Sequence, residues 1–248
     1  AKGLKGDSSI DKNFQELFAI AKSKGMSDSS AVVFVIENVL KKYINASASE
    51  KAAIAAQLGL SANQLAKISV ETANKIVSYL KEQGDKIFNC ATSVLGSLFG
   101  STGKMFNRNN LTAQMILTDI LTGTLTPGSV SMGDQLQLSM YSIQNIARNN
   151  GIDLKGYQTT LRGLRESLSG NSGTIVRLDL GGGVGHFVIA NKIEDGMVYY
   201  TDSDGSKKSM SIDNWHKLWD GSVLTNRNLI GIQDTTVLDT RDLSTLVG

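Results

Sequence analysis

A chain of 248 residues, 41% hydrophobic and 19% charged, is long enough to bury a substantial core and too apolar to stay disordered. A net charge of +2 leaves no electrostatic footprint for nucleic acid or an anionic membrane surface. The single cysteine excludes an internal disulfide and a cysteine-based zinc site. No stretch is apolar for long enough to span a bilayer, because the best run, Ala31 to Ile36, is broken by Glu37 and Asn38 and runs into Lys41-Lys42. No signal peptide is visible, so the compartment stays open. The chain opens on Ala1 rather than Met, as a mature product or a piece excised from a longer chain would.

The first eighty residues read as helices. Phe14, Leu17, Phe18 and Ile20-Ala21 recur at helical spacing up to Gly25. Asp28 or Ser29 is placed to cap a second helix carrying Val32, Val35, Ile36, Val39, Leu40 and Tyr43. Ser49-Glu50 opens a short third helix that ends at Gly59, and Ser61 caps a fourth running from Leu65 to Leu80. Ala55, Gly59 and Leu65 fall at helix-turn-helix spacing. The second of those helices, Ala62 to Ser69, offers only Asn63, Gln64 and Lys67 to a base edge, so the pattern reads as ordinary bundle packing.

Further along, a polar approach over Lys81 to Asp85 leads into an apolar helix from Cys90 to about Phe99. Helices follow over Leu111–Leu121, Gln135–Asn149 and Gln158–Ser167, the second closed by Asn150-Gly151. The character then changes. Thr174 to Leu178, His186 to Ala190, Met197 to Thr201 and Leu229 to Ile232 are β-rich runs. Asp195-Gly196 is a hairpin signal between the second and third. Ile212 to Trp219 is a helix with paired tryptophans. Helices first and an antiparallel sheet later make an α+β fold.

Cys90 has two readings. Free cysteine is often a buried core residue. At a helix N-terminus, however, it meets unpaired N–H groups and the positive end of the helix dipole, which favours a thiolate with a lowered pKa. His186 opens a strand just after the run Gly181 to Gly185. That run either lets a substrate backbone lie close to the histidine or is a hairpin loop. Counted from Asp195-Gly196, His186 lies about nine residues back and Asp202 seven forward, so the two fall near the same end of adjacent strands. Cys90 then reads as nucleophile, His186 as proton carrier and Asp202 as the group that fixes the imidazole tautomer. Asp204, beside Gly205, reads as turn chemistry, and His216, between Trp215 and Lys217, as a helix-surface residue.

Several of these segments resemble the C39 and C39-like cysteine peptidases of the papain-like superfamily. They are Phe88-Asn89-Cys90-Ala91, Ile146 to Ile152, Leu161 to Leu164, Gly185 to Ile189, Asp195 to Asp202, and Trp215 to Gly221 with Val223-Leu224. The resemblance covers about residues 81–235. It implies an α+β papain-like peptidase whose helical half carries the cysteine and whose antiparallel sheet carries the histidine and aspartate. Residues 81–248 would form that domain and residues 1–80 an all-helical N-terminal extension. It departs from the family at Ala91, where glycine is usual, and at Asp202-Ser203, where Asp-Pro is usual. The family's oxyanion-hole glutamine stands six positions before the cysteine, which here is Gly84, so Gln83 is the equivalent and Asn89 a competitor.

The activity implied is cleavage of a peptide bond, with trimming of a leader or precursor peptide after small residues such as Gly-Gly. The implied partner is a peptide or protein substrate, with association to a secretion system or transporter. Neither cofactor nor metal is expected. The rival readings are an amidase or isopeptidase on cell-wall or cross-link amides, a catalytically silent peptide-binding module, and a helical interaction protein with Cys90 in its core.

Overall fold

The computed structural model describes residues 9–170 and 173–248. Four helices open the described chain: α1 (Ser9–Ser23), α2 (Asp28–Ile44), α3 (Ala48–Gln57) and α4 (Val70–Gln83). Three of the caps sit away from the expected positions. Ser27 caps α2, Ser47 caps α3 in a capping box with Glu50, and Ser69 caps α4. The helix expected from Ser61 is only a 3-10 turn over Ala62–Gln64, followed by extended chain. Tertiary contacts hold that stretch open, because Ala66 N–H goes to Leu121 O and Gln64 Nε2 to the Tyr141 hydroxyl. With no second helix there, the helix-turn-helix pattern has no structure behind it.

Three further helices follow: α5 (Cys90–Ser101), α6 (Arg108–Leu121) and α7 (Met140–Asn149). The helix expected from Gln135 starts five residues late. Residues 136–139 are extended because their backbone groups are used elsewhere: Gln137 N–H bonds Ser131 O, and Leu138 pairs with Gly248. The apolar faces of α1 to α4, including Phe14, Val32, Val35, Ile36, Leu40, Ile76 and Leu80, enter one core with Leu95, Phe99, Ile116, Leu117 and Ile143 of α5 to α7. Each large side chain buried there contributes roughly 1.5–3 kcal/mol.

The strands are β1 (Lys155–Gln158), β2 (Thr174–Asp179), β3 (Gly185–Glu194), β4 (Met197–Thr201), β5 (Lys207–Ser211), β6 (Trp219–Thr225) and β7 (Thr236–Val237). They form an antiparallel sheet in the order β5-β4-β3-β2-β6-β1-β7. Short helices α8 (Leu161–Ser167), α9 (Ile212–Leu218) and α10 (Thr240–Thr245) complete the chain. The period-2 alternation splits the sheet between two cores. Ile175, Phe187 and Leu224 face the helices, while Val176, Leu178, Val188, Ala190 and Val223 pack with Leu164, Trp215 and Trp219.

Two expectations fail within this sheet. Gln158 ends β1 rather than starting a helix, since it pairs with Ser222 and Thr236. Leu229 to Ile232 is a turn, with Ile230 exposed and Gly231 at φ +94°, and the strand between β2 and β1 is β6 instead. The Asp195-Gly196 hairpin is present, both residues having positive φ. A helical half carrying the cysteine, an antiparallel sheet carrying the histidine and aspartate, and a helical N-terminal part are thus all in place.

Candidate active site

Cys90 is the first residue of α5. Asn89 caps that helix, its Oδ1 accepting the N–H groups of Ala91 (3.1 Å) and Thr92 (3.4 Å). The backbone N–H groups of Phe187, Ala91 and Cys90 itself all act to lower the pKa of the thiol. α5 packs against β3, whose second residue is His186.

These N–H groups do not produce the lowered pKa that the helix terminus leads one to expect. Burial pushes the Cys90 thiol up to about 11, the charge of Asp202 adds to that rise, and the three N–H groups offset only part of it. At neutral pH the free site therefore holds a thiol. The rate of iodoacetamide alkylation under native conditions is expected to keep rising with pH towards an inflection near 11. A plateau below the free-thiol value of about 8.5 would show that imidazole stabilises the thiolate more than burial opposes it.

His186 Nε2 lies 2.6 Å from Asp202 Oδ1. The hairpin delivers this contact. β3 and β4 pair with Ile189 opposite Thr201, and a bulge between Ala190 and Lys192 takes up one extra residue. Asp202 Oδ1 also accepts Ser203 N–H at 2.7 Å, and Oδ2 accepts Lys208 Nζ at 2.6 Å. Partial burial pushes the Asp202 carboxyl up. Hydrogen bonds from Lys208, His186 and Ser203 outweigh it and hold the carboxyl well below the usual carboxylate range. An ionised Asp202 can only accept, so Nε2 carries the proton and the Nδ1 lone pair is left for the thiol.

Cys90, His186, Asn89 and Ser203 share the wall of a cleft of about 870 Å³, along with Leu136, Gln137, Gly183 and Gly248. Its rim carries the exposed apolar side chains of Val130, Leu180 and Val184. Gln83 is not on that wall. Its Oε1 accepts Leu136 N–H at 3.2 Å and its Nε2 donates to Asp134 O at 3.4 Å, so it braces the segment opposite Cys90. Asn89 Nδ2 donates to Leu136 O at 3.3 Å. Gly181 to Gly183 form the β2–β3 loop with positive φ, and that loop also lines the cleft. Asp204 accepts from Ser206 in a turn, and His216 is exposed on α9.

Two residues at the site escaped the sequence reading. Lys208 neutralises the second oxygen of Asp202. Its only signal is a lysine six positions after the aspartate, across a turn. Gln137 accepts Gly185 N–H at 2.8 Å and donates to Gly183 O at 3.0 Å, which ties the glycine loop to the cleft's far wall. It left no signal, because the pattern around it reads as helix.

Over residues 131–228 the chain matches the Peptidase C39 family. That stretch is less than half the chain; it holds His186 and Asp202 and begins after Cys90. The match supports a cysteine peptidase. None of the curated proteins matches the chain. Among solved structures, the chain is similar to a double glycine motif protease from an AMS/PCAT transporter in complex with the leader peptide. The two are 14% identical with a TM-score of 0.40, over 56% of this chain and 83% of that one.

Proposed function

We propose that the chain is a cysteine endopeptidase in which Cys90, His186 and Asp202 act as a triad, and that it trims a leader or precursor peptide after small residues. The observation that carries the reading is the 2.6 Å bond from His186 to an ionised Asp202, on the wall of the cleft that also holds Cys90. In the first step Cys90 Sγ attacks the scissile carbonyl carbon while its proton passes to His186 Nδ1. The imidazolium then protonates the leaving amine, and water attacks the thioester with His186 as base. The raised pKa of the thiol favours proton transfer that accompanies attack rather than preceding it.

The oxyanion would form beside the start of α5, where the first-turn backbone N–H groups have no partner within the helix. Gln83 or Asn89 would add a side-chain donor. Both amides donate to backbone carbonyls, Asn89 to Leu136 and Gly248 and Gln83 to Asp134, but only Asn89 lines the cleft. Asn89→Ala is therefore expected to lower kcat more than Gln83→Ala, by up to about 10²–10³ for a lost oxyanion donor. Kinetics of the two variants on one peptide, with melting curves to separate the loss of the α5 cap, provide the check.

The reading itself is tested by incubating a peptide library with the wild type and with Cys90→Ala and analysing both by mass spectrometry. Cuts made by the wild type alone, after small residues, are the expected result. Release of ammonia or of an isopeptide-linked fragment would favour amidase chemistry. Peptide binding with no Cys90-dependent cut would favour a silent binding module.

A further inference from the structure

Helices α2 and α4 carry neither nucleophile nor base, yet both reach residues that line the cleft. On α4 the Tyr79 hydroxyl donates to Gly133 O at 2.9 Å. One turn later Gln83 Nε2 donates to Asp134 O at 3.4 Å, and Gln83 Oε1 accepts Leu136 N–H at 3.2 Å. The i, i+4 spacing puts both side chains on one face of the helix. Residues 133–137 line the cleft with Cys90 and His186. Burial, and then the charge of Asp134, push the Tyr79 phenol up to about 12, so it stays a donor at neutral pH. α2 reaches the cleft through Arg108, the first residue of α6. The Arg108 guanidinium sits 3.9 Å from the centre of the Phe88 ring and pairs with Asp28 of α2 at 3.5 Å, and Asn109 Nδ2 donates to Asp28 Oδ1 at 3.0 Å. Phe88 lines the cleft two residues before Cys90.

The wall at 133–135 depends on the contacts from α4. All three of its residues are exposed. Among the described residues, the carbonyls of Gly133 and Asp134 have no partner besides Tyr79 and Gln83. A segment so placed opens at low cost once its outside contacts are lost. Its other end is tied to the loop before the base. Gln137, only 7% exposed, accepts Gly185 N–H at 2.8 Å and donates to Gly183 O at 3.0 Å, and Gly185 directly precedes His186.

We propose that α2 and α4 are working parts of the cleft rather than a separable extension, with Tyr79 and Arg108 as positioning residues: Tyr79 holds the wall at 133–136, and Arg108 holds Phe88 beside the nucleophile. That this wall receives a peptide rests on the peptidase reading. The brace itself does not.

The test uses the full chain and Tyr79→Phe, which keeps the ring and deletes only the hydroxyl. Gln83, a candidate oxyanion donor, is left unchanged. The probe is iodoacetamide at one fixed pH, since Cys90 is the only thiol and lines the same cleft. Tyr79→Phe is expected to be alkylated about three- to tenfold faster than the wild type, the change in a local opening equilibrium that one hydrogen bond is worth. Leu229→Ala, in the core on the other side of the sheet, controls for general loosening and is expected to leave the rate unchanged. On a peptide that the wild type cuts, Tyr79→Phe is expected to raise KM by a factor of the same size. An unchanged alkylation rate, an equal rise in Leu229→Ala, or an unchanged KM overturns the proposal. If Tyr79→Phe does not fold, Arg108→Gln takes its place and is read in the same way. The two readings fail separately. Faster alkylation of Tyr79→Phe with no peptide cut by the wild type would sink the peptidase reading alone. Cutting by the wild type with no change in alkylation or KM would sink this inference alone.

Discussion

Asp202→Asn is expected to leave a folded protein whose kcat is lower by about 10⁴-fold, the scale seen when a triad acid is replaced by its amide. The cause is the tautomer. Asp202 accepts from Nε2, so Nδ1 has its lone pair free for the thiol. An asparagine can present its NH₂ to Nε2 instead, which makes Nε2 the acceptor and moves the ring proton to Nδ1. The base is then unable to take the Cys90 proton. His186→Ala should remove turnover altogether, and His216→Ala, on the exposed face of α9, should change little. Steady-state kinetics on one peptide, with circular dichroism to establish folding, check all three. Loss of activity in His216→Ala with retention in His186→Ala would overturn the assignment of the base.

Acidification from pH 7 to pH 4 is expected to stabilise the fold by roughly 3 kcal/mol, and Asp119 is the cause. This carboxylate on α6 is fully buried, accepting Ser139 N–H at 2.7 Å and the Ser139 hydroxyl at 2.6 Å. Burial pushes it up to about 7, although both Ser139 bonds pull the other way. A carboxyl whose folded pKa lies above its unfolded value binds its proton more tightly in the native state. Stability therefore falls as pH rises from about 3.8 to about 7 and is regained on acidification. Asp202 is shifted the opposite way, so its stabilisation is lost only as pH falls below the unfolded value near 3.8. The window from 4 to 7 thus belongs to Asp119. Urea midpoints for the wild type should rise across it, while those for Asp119→Ala should stay nearly level. Asp119→Ala should also be less stable at pH 4, because two donors of buried Ser139 lose their acceptor at about 1–3 kcal/mol each. Parallel curves for the two proteins would place the titration elsewhere. Ser139 caps α7, so the same variant should also loosen the start of that helix.

How much of this was legible in the sequence depended on whether an element's stability is local. The β3–β4 hairpin was readable because Asp195-Gly196 admits positive φ at both positions and the flanking strands alternate or run apolar. Counting out from that turn placed His186 near Asp202 without any tertiary information. β5, the polar run Lys207–Ser211, was not readable, and neither was β1, Lys155–Gln158. Both lie at or near a sheet edge, where pairing with a neighbour rather than apolar alternation makes the strand. Lys208 was missed for that reason, since it reaches Asp202 only once β5 lies beside β4.

The segment from Asp134 to Ser139 shows the limit most clearly. Leu136, Leu138 and Met140 fit a helix face as well as a strand face, and the helical choice was wrong. What decides it is the set of backbone partners, Ser131, Gly248 and the side chain of Gln83, contributed from as far as 110 residues away along the chain. The same remoteness explains the position of Gln83, whose amide bonds the backbone of this segment.

By itself, then, the sequence determined the α+β class, from the order of its elements, the helix that starts at Cys90, and the hairpin that brings His186 to Asp202. The helix and the hairpin each follow from dihedral preferences and spacing over fewer than twenty residues. Only the tertiary structure decided how those pieces meet. It packed α5 against β3, raised the thiol's pKa by burial where the helix terminus alone favoured lowering it, and paired Gly248 with Leu138. Burial and pairing between distant segments are properties of the packed chain, and no local pattern encodes them.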